Sequence, residues 1–163
     1  GDRPPLDMVV LPVGGGGLIA GMATAIKQMS PETVVIGGEP DGADSLGRSF
    51  DSGKPETLEA VNTIADSLGA PQAMAASMAL ARAHVDEMIT IPDSLMADMM
   101  LLMRQTLNLV AEPACTASLG ATLGPLRDRV AGKRVGVLAC GSNIGWDRFN
   151  RYTSTANMPL PPG

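Results

Sequence analysis

The sequence predicts an α/β fold in which helices cover both faces of a mostly parallel sheet, giving three layers. Two observations predict it: short apolar runs alternate with longer helix-forming segments, and glycine-bearing turns follow two of the runs, at residues 14–17 and 140–143. With 45% hydrophobic residues, a chain of 163 residues can bury a core. We therefore expect a single domain over residues 1–152 and a loose, proline-rich tail over residues 153–163.

The first half of the chain is predicted to form a strand, a glycine turn, a helix and a second strand. Residues 8–13 and 34–39 are apolar runs typical of strands buried on both faces. Residues 18–29 have a helical composition that ends at Ser30-Pro31. The glycine-rich stretch over residues 40–71 is the least regular part, and we expect only short helices there.

The second half is predicted to contain three helices and two strands. Their expected bounds are 71–83, 93–110 and 113–130 for the helices and 85–91 and 134–139 for the strands. Asp93 is the expected N-cap of its helix, and Pro113 suits a first helical position. The methionines of the helix from residue 93 are predicted to fill the core rather than to contact a cofactor, because helical spacing produces such stripes by default; they are Met96, Met99, Met100 and Met103.

Composition excludes several classes of function. The formal charge is −5, from 17 acidic and 12 basic residues, and like charges form no block, so nucleic acid is not an expected partner. Charged residues interrupt the longest apolar runs, and the chain does not open with a signal-like segment, so we expect neither export nor membrane insertion. The two cysteines and the lone His84 cannot form a structural zinc site. A reducing, cytoplasmic location fits best.

The four glycines after the first strand indicate a phosphate site. Without Cβ atoms, the backbone N–H groups of Gly14, Gly15, Gly16, Gly17 and Leu18 can converge on one anion, and the dipole of the following helix adds positive potential. A tight packing turn is the simpler alternative, but such a turn seldom needs more than one or two glycines.

The identity of the phosphate compound stays open at this level. Gly15, Gly17 and Ala20 match the G-x-G-x-x-A spacing of nicotinamide-binding Rossmann domains, and Glu39 ends the next strand, where an acid would bind the ribose. An oxidoreductase domain is therefore one alternative.

The second turn favours a different cofactor, pyridoxal 5'-phosphate. If the two strands are neighbours, Cys140 lies beside the first loop, and a neutral thiol cannot keep a pyridine nitrogen protonated as a carboxylate would. Such tuning suits elimination of a β-substituent better than transamination. Taken alone, Cys140 is better explained as a small buried hydrophobic residue than as a ligand contact.

Five motifs occur in the order that is seen in threonine and serine dehydratases. The chain therefore resembles the fold-type II pyridoxal phosphate enzymes, the group that looks like the tryptophan synthase β subunit, from about residue 7 to residue 143. The motifs are LPVGGGGLIAG at 11–21, VIGGEP at 35–40 with GADS at 42–45, TIAD at 63–66, VAEPA at 110–114 and CGSN at 140–143.

The resemblance implies roles for individual residues. The amides of residues 14–18 would hold the cofactor phosphate, Cys140 would lie at the pyridine nitrogen, Asn143 would contribute from the same turn, and Glu112 would lie close to the ring.

The resemblance also implies a divalent cation site. Glu39, the carbonyl of Ala43 and Ser45 match positions that bind such a cation in the related serine racemases, although Ser45 stands where those enzymes have an acid. The alternative for Glu39 is a surface carboxylate at the end of a strand.

Two further positions depart from the family pattern. Ser67 follows Asp66 where a glycine is usual, and Cys115 also replaces a glycine, so both changes are expected to alter the substrate pocket. Cys115 lies in the predicted first turn of a helix, which would lower the pKa of its thiol, whereas burial would leave it inert.

The family binds its cofactor through a lysine in an S-F-K-x-R-G type motif on the N-terminal side of the glycine loop. Lys27, Lys54 and Lys133 lie in other contexts. The resemblance therefore implies the C-terminal portion of a threonine/serine dehydratase, which converts a hydroxy amino acid to a 2-oxo acid and ammonia, or of a serine racemase-like enzyme. We expect this portion to carry no catalytic residue, to be inactive alone, and to self-associate as a homo-oligomer through uncovered sheet edges and apolar faces.

Overall fold

A computed structural model describes residues 5–157, and the predicted α/β fold with a parallel sheet is confirmed. The strands pair in the order β3-β2-β1-β4, and every pairing is parallel. The strands are β1 (Met8–Pro12), β2 (Val34–Pro40), β3 (Glu87–Ile91) and β4 (Val135–Val137). The helices are α1 (Gly17–Met29), α2 (Ser45–Ser52), α3 (Ala75–His84), α4 (Asp93–Thr106), α5 (Pro113–Leu123), α6 (Arg127–Val130) and α7 (Trp146–Thr153).

Helices cover both faces of the sheet. Side chains from α1, α2 and α3 pack with one face of β1 and β2. On the other face α5 lies against the sheet, α4 packs over α5, and α7 contacts α4. Because β1 pairs with β2 on one side and with β4 on the other, the turns that follow β1 and β4 lie next to each other at the carboxyl edge of the sheet.

The predicted capping role of Asp93 is wrong. Pro92 occupies the N-cap position of α4 without a side-chain hydrogen bond, and Asp93 is the first helical residue. Its carboxylate instead accepts hydrogen bonds from the Thr63 hydroxyl at 2.6 Å and from the Ile64 N–H at 2.9 Å. A tertiary contact with a segment far away in sequence has therefore replaced the local cap.

Two helices end earlier than predicted, for reasons in the backbone. The helix expected to reach residue 110 stops at Thr106, because the chain turns at Asn108, whose φ of 55° is left-handed. The helix expected over residues 113–130 breaks after Leu123 at Gly124, because Pro125 disfavours helical backbone in the residue before it.

Other bounds also differ. The helix expected from residue 71 begins at Ala75, and the strand expected over residues 134–139 shortens to Val135–Val137. Helix α7 was not predicted at all. Part of the predicted tail, residues 158–163, lies outside the described residues. Short helices over residues 40–71 were predicted and are present, as α2 and as 3-10 turns at Asp41–Ala43 and Asp66–Leu68.

No described helix combines the length and the apolar character needed to cross a membrane. The methionines of α4 were predicted to lie in the core, and this is confirmed: each is at most 3% exposed. They are Met96, Met99, Met100 and Met103.

Truncation of a core methionine should therefore destabilise the fold. Met96→Ala should lower the free energy of unfolding by about 2–5 kcal/mol, because the side chain is fully buried between α4, α5 and the sheet and its removal leaves a cavity. Met29→Ala is the matched control, since Met29 is 79% exposed, and it should change the free energy by less than about 0.5 kcal/mol. Urea denaturation of both variants measures the difference, and equal effects would contradict the assignment of Met96 to the core.

Candidate functional site

The glycine loop connects β1 to α1 at the carboxyl edge of the sheet. Gly16 has a φ of 86° and occupies the N-cap position of α1, a left-handed conformation that favours glycine. At Gly14 an added Cβ would lie 2.9 Å from the Cα of Leu68, so the backbone of another segment lies directly against the loop. Gly14 and Gly16 are thus required for two different reasons, close approach and turn conformation.

The amides of the loop have no hydrogen-bond acceptor in the part of the chain that the structure describes. Val13 donates to the carbonyl of Gly38 at 2.8 Å, and Ala20 donates to Gly16 at 3.0 Å, which is a regular helical bond. Within residues 5–157, no backbone or side-chain acceptor is found for the N–H groups of Gly14 to Leu18. The first N–H groups of a helix point out of its N-terminal end, so a ligand there meets donors and a positive dipole.

These amides border a cavity of about 280 Å³. The loop, the start of α1, the segment after Asp66, the start of α5 and the turn after β4 all contribute to it. Its lining residues are Pro12, Val13, Gly14, Gly15, Gly16, Gly17, Leu18, Ile19, Ser67, Leu68, Glu112, Ala114 and Cys140.

Glu112 lies against the turn that follows β4, which contains Cys140 and Gly141. The Glu112 N–H donates to the carbonyl of Gly141 at 3.4 Å, and Gly141 has a φ of 117°, which favours glycine. A Cβ on Gly141 would collide with the Glu112 carboxylate, so this glycine makes room for the side chain. The half-buried carboxylate and the exposed thiol therefore lie beside the same cavity.

Cys115 does not line this cavity and is only 4% exposed. Burial, followed by the charges of Cys140 and Glu112, raises the pKa of its thiol to about 11. Cys115 is therefore an inert, buried thiol, and the expected helix effect is outweighed by desolvation.

The structure brings most of the predicted cofactor-binding residues together and leaves one apart. Glycines 14–17, Leu18, Glu112 and Cys140 share the cavity, whereas Asn143 is exposed and lies outside its lining. Ser67, where the resemblance implies a glycine, lines the cavity, and Asp66 beside it forms an ion pair of 3.0 Å with Arg148.

Leu68 is a site residue that sequence reasoning missed. It is far from the glycine loop along the chain, and the sequence does not indicate that the two are in contact. The signals are the TIAD motif at 63–66, which lies just before it, and the glycine at position 14, which implies a close neighbour without identifying it.

Glu39 is buried rather than exposed, so the surface alternative for this residue is wrong. Its Oε1 accepts a hydrogen bond of 2.7 Å from the Gly47 N–H, and its Oε2 has no partner among the described residues. Desolvation by burial raises the pKa of the carboxyl group to about 8, against an opposing effect of the Gly47 hydrogen bond.

The three predicted cation ligands fit a divalent cation poorly. Glu39 is their only carboxylate, and the hydroxyl of Ser45 donates to the carbonyl of Ala70 at 2.9 Å. Ala43, whose carbonyl was the third ligand, is buried. Calcium and magnesium usually take several oxygen ligands, carboxylates among them. Residues 5–157 contain no group of three or more His, Cys, Asp or Glu side chains that could hold a metal ion.

The nicotinamide alternative is not favoured by this geometry. A ribose-binding acid must reach the ligand held by the glycine loop. Glu39 instead bonds to the N–H of Gly47 in α2 and does not line the cavity at the loop.

Comparison with known proteins gives an independent assignment. The family model described as pyridoxal-phosphate dependent enzyme matches residues 2–141. Phenylserine dehydratase from Ralstonia pickettii is 44% identical over 147 residues, which are 90% of this chain and 45% of that protein. The chain thus spans less than half the length of the curated relatives that it matches.

Solved structures agree on the fold. Threonine deaminase isoform 2 from Solanum lycopersicum superimposes with a TM-score of 0.89 at 27% identity, covering 96% of this chain and 46% of that one. Serine racemase from Dictyostelium discoideum gives a TM-score of 0.79 at 30% identity, covering 88% and 46%. The family model covers most of the sequence and the structural matches cover most of the fold, so the chain belongs to the family of pyridoxal-phosphate-dependent enzymes.

Proposed function

We propose that this chain is the cofactor-phosphate-binding portion of a dehydratase that eliminates water from a small β-hydroxy amino acid, giving a 2-oxo acid and ammonia. The observation that carries the proposal is a run of amides at the start of α1 that have no acceptor among residues 5–157, beside a cavity that Glu112 and Cys140 also line. Relatives named as phenylserine dehydratase and L-threonine ammonia-lyase support the reaction class.

In this proposal the backbone binds the phosphate of pyridoxal 5'-phosphate. The N–H groups of Gly14 to Leu18 donate to its oxygens, and the dipole of α1 favours the negative charge. The close approach of Leu68 to Gly14 closes one side of the loop, so the phosphate enters from the cavity.

Cys140 and Glu112 act at the ring end of the cavity. When bound, the cofactor supplies an electron sink for the bonds at the Cα of an amino acid. Cys140 would lie at the ring nitrogen, where a thiol, unlike a carboxylate, would not keep that nitrogen protonated. Glu112 orients the ring from the start of α5, where the backbone bond to Gly141 fixes its main chain.

The racemase alternative stays open beside dehydration. Racemisation needs a second acid–base group on the opposite face of the substrate. In the described cavity lining, Glu112 and Cys140 are the titratable side chains, and both belong to one wall, formed by the start of α5 and the turn after β4. A base on the opposite face would therefore have to come from residues other than these.

The proposal includes a cytoplasmic location and a homo-oligomer. Both cysteines are free, which suits a reducing compartment. Leu107, Leu109 and Trp146 are at least half exposed, which leaves apolar surface available for self-association.

Phosphate binding can be tested at Gly17. An added Cβ at this position has no atom within 4 Å, so substitution leaves the fold intact. Gly17→Asp should raise the Kd for pyridoxal 5'-phosphate at least about tenfold more than Gly17→Asn, because only the carboxylate repels the anion. Gly16 is less suitable, since its φ of 86° strains any side chain.

The Gly17 experiment is a fluorescence titration of the wild type and both variants, with circular dichroism as the check on folding. Equal affinities of the Asp and Asn variants would mean that the phosphate does not bind at the start of α1. Absence of saturable binding by the wild type would contradict the proposal as a whole.

Thiol labelling tests the ring end of the cavity. At pH 7.5, iodoacetamide should label Cys140 and leave Cys115 unmodified, because the pKa of the buried Cys115 thiol is about 11 and almost none of it is thiolate. Labelling of Cys115 should increase as the pH rises towards 11. Pyridoxal 5'-phosphate should slow labelling of Cys140, whereas pyridoxal, which lacks the phosphate, should not.

Mass spectrometry of tryptic peptides gives both labelling rates, and Cys140→Ser is the control that should abolish the fast rate. Saturable cofactor binding without protection of Cys140 would place the ring elsewhere.

The 163-residue polypeptide is expected to be inactive by itself. Among the described residues no lysine lines the cavity, and Lys27, on α1, is paired with Asp86 at 2.7 Å. Without an amine there, the described cavity lining has no group to hold the cofactor aldehyde, and it lacks the lysine that would remove the Cα proton. A 2-oxo acid assay with L-threonine and L-serine should show no turnover above background, and normal turnover would refute the expectation.

A further inference from the structure

An irregular segment, residues 63–70, forms part of the wall of the cavity. Ser67 and Leu68 line it, and the Leu68 backbone lies so close to Gly14 that an added Cβ would be 2.9 Å from the Cα of Leu68 and 3.2 Å from its carbonyl oxygen. No side chain separates the two backbones. The position of this segment therefore limits where the glycine loop can lie.

The start of the segment is held by Asp93, the first residue of α4. Both carboxylate oxygens are used: Oδ1 accepts from the Thr63 hydroxyl at 2.6 Å, and Oδ2 accepts from the Ile64 N–H at 2.9 Å. Hydrogen bonds to an ionised acceptor are stronger than neutral ones. The half-buried first residue of α4 thus fixes an otherwise irregular stretch of backbone.

The hydroxyl of Thr63 continues the connection towards the cavity. While it donates to Asp93, it also accepts a hydrogen bond of 3.1 Å from the Ala65 N–H. The carbonyl of Ala65 in turn accepts from the N–H of Leu68 at 2.9 Å. An unbroken series of hydrogen bonds therefore runs from α4 to the residue that lies against Gly14.

The other end of the segment has its own anchor. The Ala70 N–H donates to the carbonyl of Leu68 at 2.8 Å, and the Ala70 carbonyl accepts from the hydroxyl of Ser45, the first residue of α2, at 2.9 Å. Two helices on opposite faces of the sheet thus hold the segment at its two ends.

We propose that Thr63 and Asp93 are positioning residues for the glycine loop. By fixing Leu68 against Gly14, they hold the loop in the conformation that presents its N–H groups to an anion. The inference rests on the proposed function only in taking that anion to be the cofactor phosphate.

Two substitutions at Thr63 test the inference. Thr63→Val keeps the shape of the side chain but removes both hydrogen bonds of the hydroxyl, whereas Thr63→Ser keeps the hydroxyl. In ¹H–¹⁵N spectra of the 163-residue chain, the Val variant should shift or broaden the cross-peaks of Gly14–Gly17. The Ser variant should leave them close to the wild-type positions. Gly132, an exposed turn glycine before β4, is the internal control and should not move in either variant.

Cofactor affinity provides the second measurement. Thr63→Val should raise the Kd for pyridoxal 5'-phosphate about tenfold, and Thr63→Ser should restore most of the affinity. A variant that is only less stable would not change the affinity of the folded fraction, so thermal unfolding of each variant is measured alongside. If the Val variant does not fold, Asp93→Asn replaces it. The amide keeps the size of the side chain, but its NH₂ group cannot accept a hydrogen bond, so one of the two bonds, from the Thr63 hydroxyl or from the Ile64 N–H, is lost.

Unchanged glycine cross-peaks in the folded Val or Asn variant would overturn the inference. Changes in the Ser variant that are as large as those in the Val variant would overturn it too. Failure of the proposed function gives a different result, in which the wild type binds no cofactor while the glycine cross-peaks still respond to Thr63→Val.

Discussion

The N–H groups at the start of α1, which find no acceptor among the residues that the structure describes, are the constraint on which this site depends. Backbone donors that are left without a protein acceptor are costly unless water or a ligand satisfies them, and several in succession are uncommon. Here they follow the end of β1 and border a cavity. Each of the surrounding elements helps to keep these N–H groups available to a ligand in the cavity.

The parallel sheet supplies the first part of that arrangement. β1 lies between β2 and β4, so the loop that follows it has a neighbouring turn on the side of β4 and a packed strand on the side of β2. Helix α5 then carries Glu112 to the same edge, because its first turn lies beside Gly141. Four separate parts of the chain therefore meet at one cavity. Only the loop after β1 is marked by a run of successive glycines.

The site could be predicted from sequence wherever its signal is local. Four glycines between an apolar run and a helix define the loop without any knowledge of the rest of the chain, and the family resemblance adds Glu112 and Cys140. The predicted end of α4 was wrong because the backbone conformation decides it. The chain turns at Asn108, and nothing in the apolar pattern indicates the left-handed φ of that residue. The predicted capping role of Asp93 was wrong for a different reason. Its position before a helix is typical of a cap, but its carboxylate is taken by a segment almost thirty residues earlier, and single-sequence reasoning has no access to such a partner.

The contrast between the two cysteines has a consequence for oxidative damage. Cys115 is buried and Cys140 is exposed at the ring end of the cavity, so hydrogen peroxide in solution meets Cys140 first. Oxidation to a sulfinic acid would add a negatively charged group beside the cavity, and this change is irreversible for most proteins. A bound cofactor would cover the sulfur, so the occupied protein should outlast the empty one under oxidising conditions.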